Sequence, residues 1–402
     1  MNTDHLTALE EALRENPEDS NTLQVYGDAL QAIGDPRGQL AGIQRARSTM
    51  DPDDFAKAEA AILQEHGAAL LGILGNGESY PDAQLRQQRG PFSGLPGYEL
   101  TWEEGHVRSV RISEPYGASP GAGEVLTSLL GRPSAQFVRS IILRHYKGFS
   151  TQGVDREASE RTRRRGTAVL NALTASPRPT LRELVVGMET VSFDAVGDDD
   201  ARDLLSFGEM LQDLTPLWRA APALHRVTLT GCAYHLGALE HPTLRHLELR
   251  HSLMPRQTLV SLADAELPAL ETLVLWLGAS DYGQVSYRWR DLEVLCDPDR
   301  FPSLRNLGFV CATDTESILE MVLRSPILPQ LASLDMRGGM IEDANALLRD
   351  PARVRHLERI DLRWNTLLVP DPELIAALPS VQIEPQRWDG HQDVPRFNNC
   401  ME

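Results

Sequence analysis

Leu244-Arg245-His246-Leu247-Glu248-Leu249-Arg250 is followed, 26 residues on, by Leu270-Glu271-Thr272-Leu273-Val274-Leu275-Trp276. Both stretches are the phrase L-x-x-L-x-L. Its last three positions alternate apolar, variable, apolar, which is the period of a strand with one face turned into a core. Upstream of these two stand Leu181-x-x-Leu184-x-Val186 and Leu224-x-x-Val227-x-Leu229. Downstream stand Leu304-x-x-Leu307-x-Phe309, Leu331-x-x-Leu334-x-Met336, Leu357-x-x-Ile360-x-Leu362 and Leu378-x-x-Val381-x-Ile383. Weaker copies begin at Val107 and Val138. From Leu181 the starts are 43, 20, 26, 34, 27, 26 and 21 residues apart, so most fall in one narrow band and the longer gaps imply insertions.

A strand that buries one face needs a neighbour. Repetition at this spacing supplies one, each unit covering the next. The linking segments carry apolar residues at helical spacing, as at Ile318, Leu319, Val322 and Leu323, and helices are expected over 167–175, 201–214, 256–265, 315–325 and 342–350. Just past each strand, Cys232 and Asn365 occupy the slot where a buried polar side chain bonds the turn backbone. The expected architecture is therefore α/β: a solenoid with a parallel sheet on its inner, concave face. These residues, over about 105–385, resemble leucine-rich-repeat proteins of the bacterial, ribonuclease-inhibitor-like kind. That resemblance implies a horseshoe and a role in recognition. Leu273 to Gly278 with Asp281-Tyr282-Gly283 resembles a phrase common in bacterial proteins of this class, and either loop shaping or binding would explain it.

The first 75 residues read differently. Leu6, Leu9 and Leu13 form one helical stripe, Leu23, Tyr26 and Leu30 a second, and Asp19-Ser20-Asn21 offers cap residues between them. Gly34-Asp35-Pro36-Arg37-Gly38 is a turn into a third helix, and 51–75 carry a fourth stripe. The residues Asn16-Pro17-x-Asp19, Tyr26-x-Asp28-x-Leu30, Gly34 to Gly38 and Gln44 resemble the short repeat-companion domain that precedes bacterial repeat arrays. Ala29 stands where that family usually has tryptophan, so local packing is expected to differ. Asp28, Asp35 and Arg37 either form a site or tie the turn together. The expected division is a helical capping module over 1–75, a connection over 76–104, the repeats over 105–385 and a tail over 386–402.

Composition narrows the function. The 402 residues are 42% apolar with net charge −18, and residues 1–100 hold 16 acidic against 7 basic residues. Such a balance disfavours nucleic acid and anionic membranes as partners. No run of 18 apolar residues and no basic, apolar leader occurs, so no membrane partner and a cytoplasmic location are expected. The four cysteines show no C-x-x-C spacing. The P-loop, H-E-x-x-H and G-x-S-x-G patterns are absent; Gly278-Ala279-Ser280-Asp281 starts like the last, and Tyr282 breaks it. His225, His235, His241, His246 and His251 cluster in sequence but not on one point of the repeat register. Neither cofactor, metal nor enzymatic activity is expected.

The variable positions flanking the inward residues define the face open to a partner. On it the register places Arg144, Arg226, His246, Glu248, Arg250, Trp276, Arg337, Arg359 and Arg363, with Trp364 just beyond, and the 278–291 insertion adds Tyr282 and Trp289. Arginine with tryptophan is the composition of protein-interface hot spots, although laterally paired, solvated charges would give the same pattern. Lys57 and Lys147 are the sole lysines; the other 37 basic residues are arginine. The expected function is a protein-interaction module, an adaptor or recognition subunit; the alternative is a sensor of RNA or another anionic ligand controlling an effector such as a protease. Arg161 and Arg163–Arg165 could grip phosphates from a loop or first helical turn. Replacing Arg250 and Arg363 with glutamate is expected to abolish binding and spare stability.

Overall fold

The computed structural model describes residues 3–75, 97–115, 120–146, 156–187, 213–230, 235–251, 254–278, 287–365 and 376–383. The chain forms two compact units: Met1–Leu184 with Arg219–Leu224, and Val185–Trp218 with His225–Glu402. Among the described residues no helix is long and apolar enough to cross a membrane.

The first unit opens with four helices: α1 Thr3–Glu15, α2 Ser20–Ala32, α3 Pro36–Ala46 and α4 Pro52–Leu71. Their starts are those read from the sequence. Asp19 accepts from the amides of Asn21 and Thr22, Asp35 from that of Arg37 and Asp51 from that of Asp53, each neutralising amides that a helix start leaves open. Leu13, Leu23, Tyr26, Leu30 and Phe137 make a core, with Leu6 and Leu9 against it. Gly38 is required by packing, because a Cβ there would lie 2.1 Å from the Gln31 amide nitrogen.

Strands β1 Gly97–Glu103 and β2 His106–Pro115 form an antiparallel hairpin, and β3 Ser140–Tyr146 pairs parallel with β2. Strand β1 falls inside the stretch 76–104 that the sequence suggests is connection. Its signal is local: Glu104 and Gly105 both have positive φ, +50° and +76°, the requirement of a two-residue hairpin turn. Helix α5 Ala122–Leu130 packs on α6 Arg156–Thr174. Arg161 and Arg163–Arg165 therefore sit inside a helix, not in a loop or first turn. Glu157 and Glu160 precede Arg161 and Arg164 by four residues, a spacing that favours helix. Strand β4 is Glu183–Val186.

In the second unit a parallel ladder runs through β5 Arg226–Thr230, β6 His246–Arg250, β7 Thr272–Gly278, β8 Asn306–Ala312, β9 Ser333–Asp335, β10 Arg359–Asp361 and β11 Val381–Gln382. Val227, Leu247, Leu273, Leu307, Leu334, Ile360 and Val381 stand in one register column, and all are buried. Each such side chain contributes roughly 1.5–3 kcal/mol by leaving water. Between strands lie α7 Thr215–Ala220, α8 Arg256–Ala263, α9 Thr315–Arg324 and α10 Asn345–Arg349. The 3-10 helix Trp289–Cys296 packs on α8 and α9. Helix α10 is shorter than its expected 342–350, and the expected helix over 201–214 falls largely outside the described residues. Asn365 does what its slot demands: its Nδ2 donates to the carbonyls of Met336 and Leu362 at 2.8 and 2.9 Å, and the Ile341 amide donates to its Oδ1 at 3.2 Å. Cys232 lies outside the described residues. This is the leucine-rich-repeat fold: in-register parallel strands, one buried apolar column, helices on the return paths, and an all-α module at the N-terminus.

Candidate functional site

Because strand side chains alternate, the positions flanking the buried column point to the opposite face of the ladder. One outer column runs Thr228, Glu248, Val274, Gly308, Asp335, Asp361. Two residues further along each strand come Thr230, Arg250, Trp276 and Val310. Cys311 N donates to Arg337 O and Gly338 N to Arg363 O, which carries that second column on through Arg337 and Arg363. One motif occurs three times in these columns: an acid, one residue, then arginine, as Glu248-x-Arg250, Asp335-x-Arg337 and Asp361-x-Arg363. Residues i and i+2 share a strand face, so each acid grips its own arginine.

The three forks differ in exposure. At β6, Glu248 Oε1 accepts from Arg250 Nε at 2.8 Å and from Trp276 Nε1 at 3.0 Å, and the Arg250 guanidinium lies 5.6 Å from the Trp276 ring centre. Glu248, Arg250 and Trp276 are only 8%, 3% and 3% exposed. Burial would raise the Glu248 carboxyl, yet His246, its Nε2 3.7 Å away, and Arg250 outweigh it and hold the group at about 2. This group of three was expected on the open face and is instead closed off. Thr228 and Thr230 in β5 are also buried, and among the described residues their hydroxyls have no hydrogen-bond partner.

At β9 and β10 the forks are open. Arg337 donates to both oxygens of Asp335, Nε at 2.9 Å and Nη2 at 2.7 Å. Arg363 grips Asp361 in the same way at 2.9 and 3.0 Å. Arg359 also pairs with Asp361, and Arg337 Nε lies 3.5 Å from that carboxylate. The Asp361 side chain is 1% exposed, whereas those of Arg337, Arg363 and Arg359 are 24%, 26% and 45% exposed. Burial would raise the Asp361 carboxyl, but hydrogen bonds from Arg363 and Arg359 and the charge of Arg337 hold it below its ordinary range. Trp364, half-buried, follows at φ +62°, a left-handed conformation that bulky residues rarely adopt.

The remaining expected residues are dispersed. Arg226 begins β5, half-buried, and pairs in register with His246. Arg144 lies in β3 of the first unit, paired in register with Ser113. Trp289 opens the 3-10 helix with the Arg290 guanidinium 5.0 Å from its ring centre. Tyr287, in the same insertion, is 6% exposed and its hydroxyl is pushed up by burial. Tyr282 lies outside the described residues. Of the histidines, His241 is buried against the Trp218 ring at 6.3 Å and His251 is buried. Among the described residues no group of three or more His, Cys, Asp or Glu could hold a metal ion. Cys296 and Cys311 are buried, and burial raises the Cys296 thiol to about 12.

In the first unit the motif residues of the helical module are structural ties. Arg37 forks Asp35 at 3.0 and 2.8 Å and donates to the Tyr26 hydroxyl at 3.2 Å. Arg45 pairs with Asp28 and, at 2.6 Å, with Glu104 of the hairpin turn. The Gly105 amide donates to Gln44 Oε1 at 2.9 Å, and Arg108 donates to Pro17 O at 3.1 Å. Thus Asp28, Asp35 and Arg37 hold the turn and dock the module on β2.

No family model matches the chain, and no curated protein matches it. Among solved structures, the chain is similar to a Bacteroides fragilis protein from a structural-genomics consortium, at TM-score 0.52 and 25% identity over 69% of this chain and 73% of that one. More distant are a TLR13–ssRNA13 complex, TM-score 0.29 and 14% identity over 62% and 39%, and an internalin from Listeria monocytogenes, TM-score 0.30 and 13% identity over 77% and 76%.

Proposed function

We propose that this chain is a non-enzymatic protein-recognition module, an adaptor or recognition subunit, that holds its partner on the outer face of the ladder around β9 and β10. The observation that carries this reading is the repeated acid-x-arginine fork, sealed at β6 and open at β9 and β10. Arginine suits such a face because its planar guanidinium pairs bidentately and stacks on rings. Trp364 beside the cluster adds the large aromatic that interface centres favour. On the same reading the N-terminal helices are a bacterial repeat-companion module, and the protein works in the cytoplasm.

The test is affinity capture by the full chain against Arg337→Gln/Arg359→Gln. A protein retained by the parent and lost by the variant, with circular dichroism unchanged, supports the reading. Equal recovery by both removes the face from consideration. RNA recovered with the parent, and released as salt rises from 50 to 200 mM (about 10³-fold for six or more phosphate contacts), would replace it with an RNA-sensing role.

A further inference from the structure

We propose that the outer edge of β1 takes up an extended segment of a second protein as an added strand. That segment alternates basic residues, set against Glu99 and Glu103, with apolar residues beside Leu100 and Trp102. The site goes beyond the interaction reading above and stands or falls apart from it.

The backbone comes first. β1 is the terminal strand of its sheet, and β2 pairs with one of its edges. In an antiparallel pair, alternate residues turn their N–H and C=O toward the neighbour and the rest turn them away. Among the described residues no backbone hydrogen bond from a turn, a loop or another strand reaches 99–103 from the far side. Such an edge is a template for another chain unless it is blunted by shortness, proline, lysine or a bulge. β1 is seven residues long and holds neither proline nor lysine. The register shift beside Thr101 and Trp102 leaves the extra residue, Arg108, in β2, so β1 keeps an unbroken alternation.

The side chains give the second observation. Tyr98, Leu100 and Trp102 stand opposite Ile112, Val110 and Val107, all buried, and so lie on the core side of the hairpin. Leu100 and Trp102 are nevertheless only half-buried. The core is open sideways at this edge, and one more strand with apolar residues on that side would close it. Charge then selects the occupant. On the opposite side of β1 the Glu99 and Glu103 side chains are 58% and 43% exposed, and residues 1–100 hold 16 acidic against 7 basic residues. A second copy of β1 would bring Glu99 and Glu103 beside their own kind, and like charges across strands are destabilising. A basic strand puts opposite charges there instead. Alternation meets both demands at once, because residues i and i+2 share a face.

The probes are a labelled ten-residue peptide alternating Lys and Val, its Gln/Val counterpart, and the Lys/Val peptide methylated on every backbone nitrogen. Each is titrated against the full chain by fluorescence polarisation in about 150 mM salt, which screens charges far from the edge. The Lys/Val peptide should bind at least about fivefold more tightly than the Gln/Val peptide, the gain of two opposite-charge cross-strand pairs. Methylation removes the donors that strand addition uses and should cost at least about tenfold. Glu99→Arg should weaken Lys/Val binding by about fivefold, while Glu271→Arg, the same charge change at a 47% exposed side chain of the second unit, should stay within about twofold. Should Glu99→Arg lower the melting temperature, Glu99→Gln is read instead, with about a twofold loss expected. Bound Lys/Val peptide should slow hydrogen exchange at least about tenfold within 97–103 and leave 333–335 and 359–361 unchanged. Equal affinity for the three peptides, full binding by the Glu99 variants, or protection that spares 97–103 each overturns the proposal. A chain that dimerises in sedimentation without peptide, with 97–103 protected as concentration rises, overturns it in favour of a second copy. Capture by the parent against Arg337→Gln/Arg359→Gln tests the outer-face reading separately.

Discussion

Arg250 and Arg359 occupy the same sheet face and look equivalent as letters, yet water separates their roles. Arg250 is buried with Glu248, so removing it leaves a carboxylate at 8% exposure without its main cation. Loss of one member of a buried pair costs about 3–5 kcal/mol, whereas loss of an exposed one costs about 0–1 kcal/mol. We expect Arg250→Ala to lower unfolding stability by about 3 kcal/mol and Arg359→Ala by less than about 1 kcal/mol, measured by denaturant titration. Comparable losses for both would mean that exposure does not sort the arginines, and the site would have no reason to lie at β9 and β10. For the same reason the Arg250→Glu/Arg363→Glu pair, expected from the sequence to spare stability, should destabilise the fold through Arg250. The sequence could not have separated these residues. The register gives the direction in which a side chain leaves its strand, but not what lies over it.

The strands were legible because their signal is periodic and local: Leu247, Leu273, Leu307, Leu334 and Ile360 fall in successive adjacent strands as L-x-x-L-x-L requires. The β1–β2 hairpin was not, because β1 carries no copy of the phrase and its turn, Glu104-Gly105, lacks the usual Asn or Asp. The docking of that hairpin was hidden for a further reason, since it depends on His106. The imidazole is fully buried, 5.4 Å from the Tyr26 ring and 5.1 Å from that of Phe137, with Nδ1 2.9 Å from Glu104 O. Burial, with Arg37 nearby, pushes His106 down to about 3. Below pH 6.5 the unfolded chain takes up a proton that the folded one refuses. The stability from His106 is therefore whole above about pH 6.5, is lost as pH falls toward 3, and is down by about 2 kcal/mol at pH 5. His106→Phe, which keeps a ring against Tyr26 and Phe137, should flatten this part of the profile between pH 7.5 and 5. An unchanged slope in the variant would show that some other group, such as the buried His251, carries the acid sensitivity alone.

At the scale of the whole chain, a net charge of −18 opposes an acidic partner, even one that meets the partly exposed arginines of β9 and β10. The two effects act over different distances. At 10 mM ionic strength the Debye length is about 30 Å, so an approaching segment meets the repulsion of most of the molecule; at 150 mM it is about 8 Å, and only neighbouring charges are felt. The contacts with Arg337, Arg359 and Arg363 are formed within a few ångströms and are screened far less. Association of an acidic probe, such as a labelled ten-residue peptide alternating Glu and Thr, should therefore speed up, by about two- to fivefold, as salt rises from 10 to 150 mM, and slow again only above that. This is opposite to the behaviour of a ligand drawn in by a broad positive surface, whose on-rate is greatest at low salt. Stopped-flow measurement across that range separates the cases. An on-rate that falls steadily from 10 mM upward would mean a positive field wider than three arginines, and the acidic segment would have to be seated on a larger basic surface than the β9–β10 cluster provides.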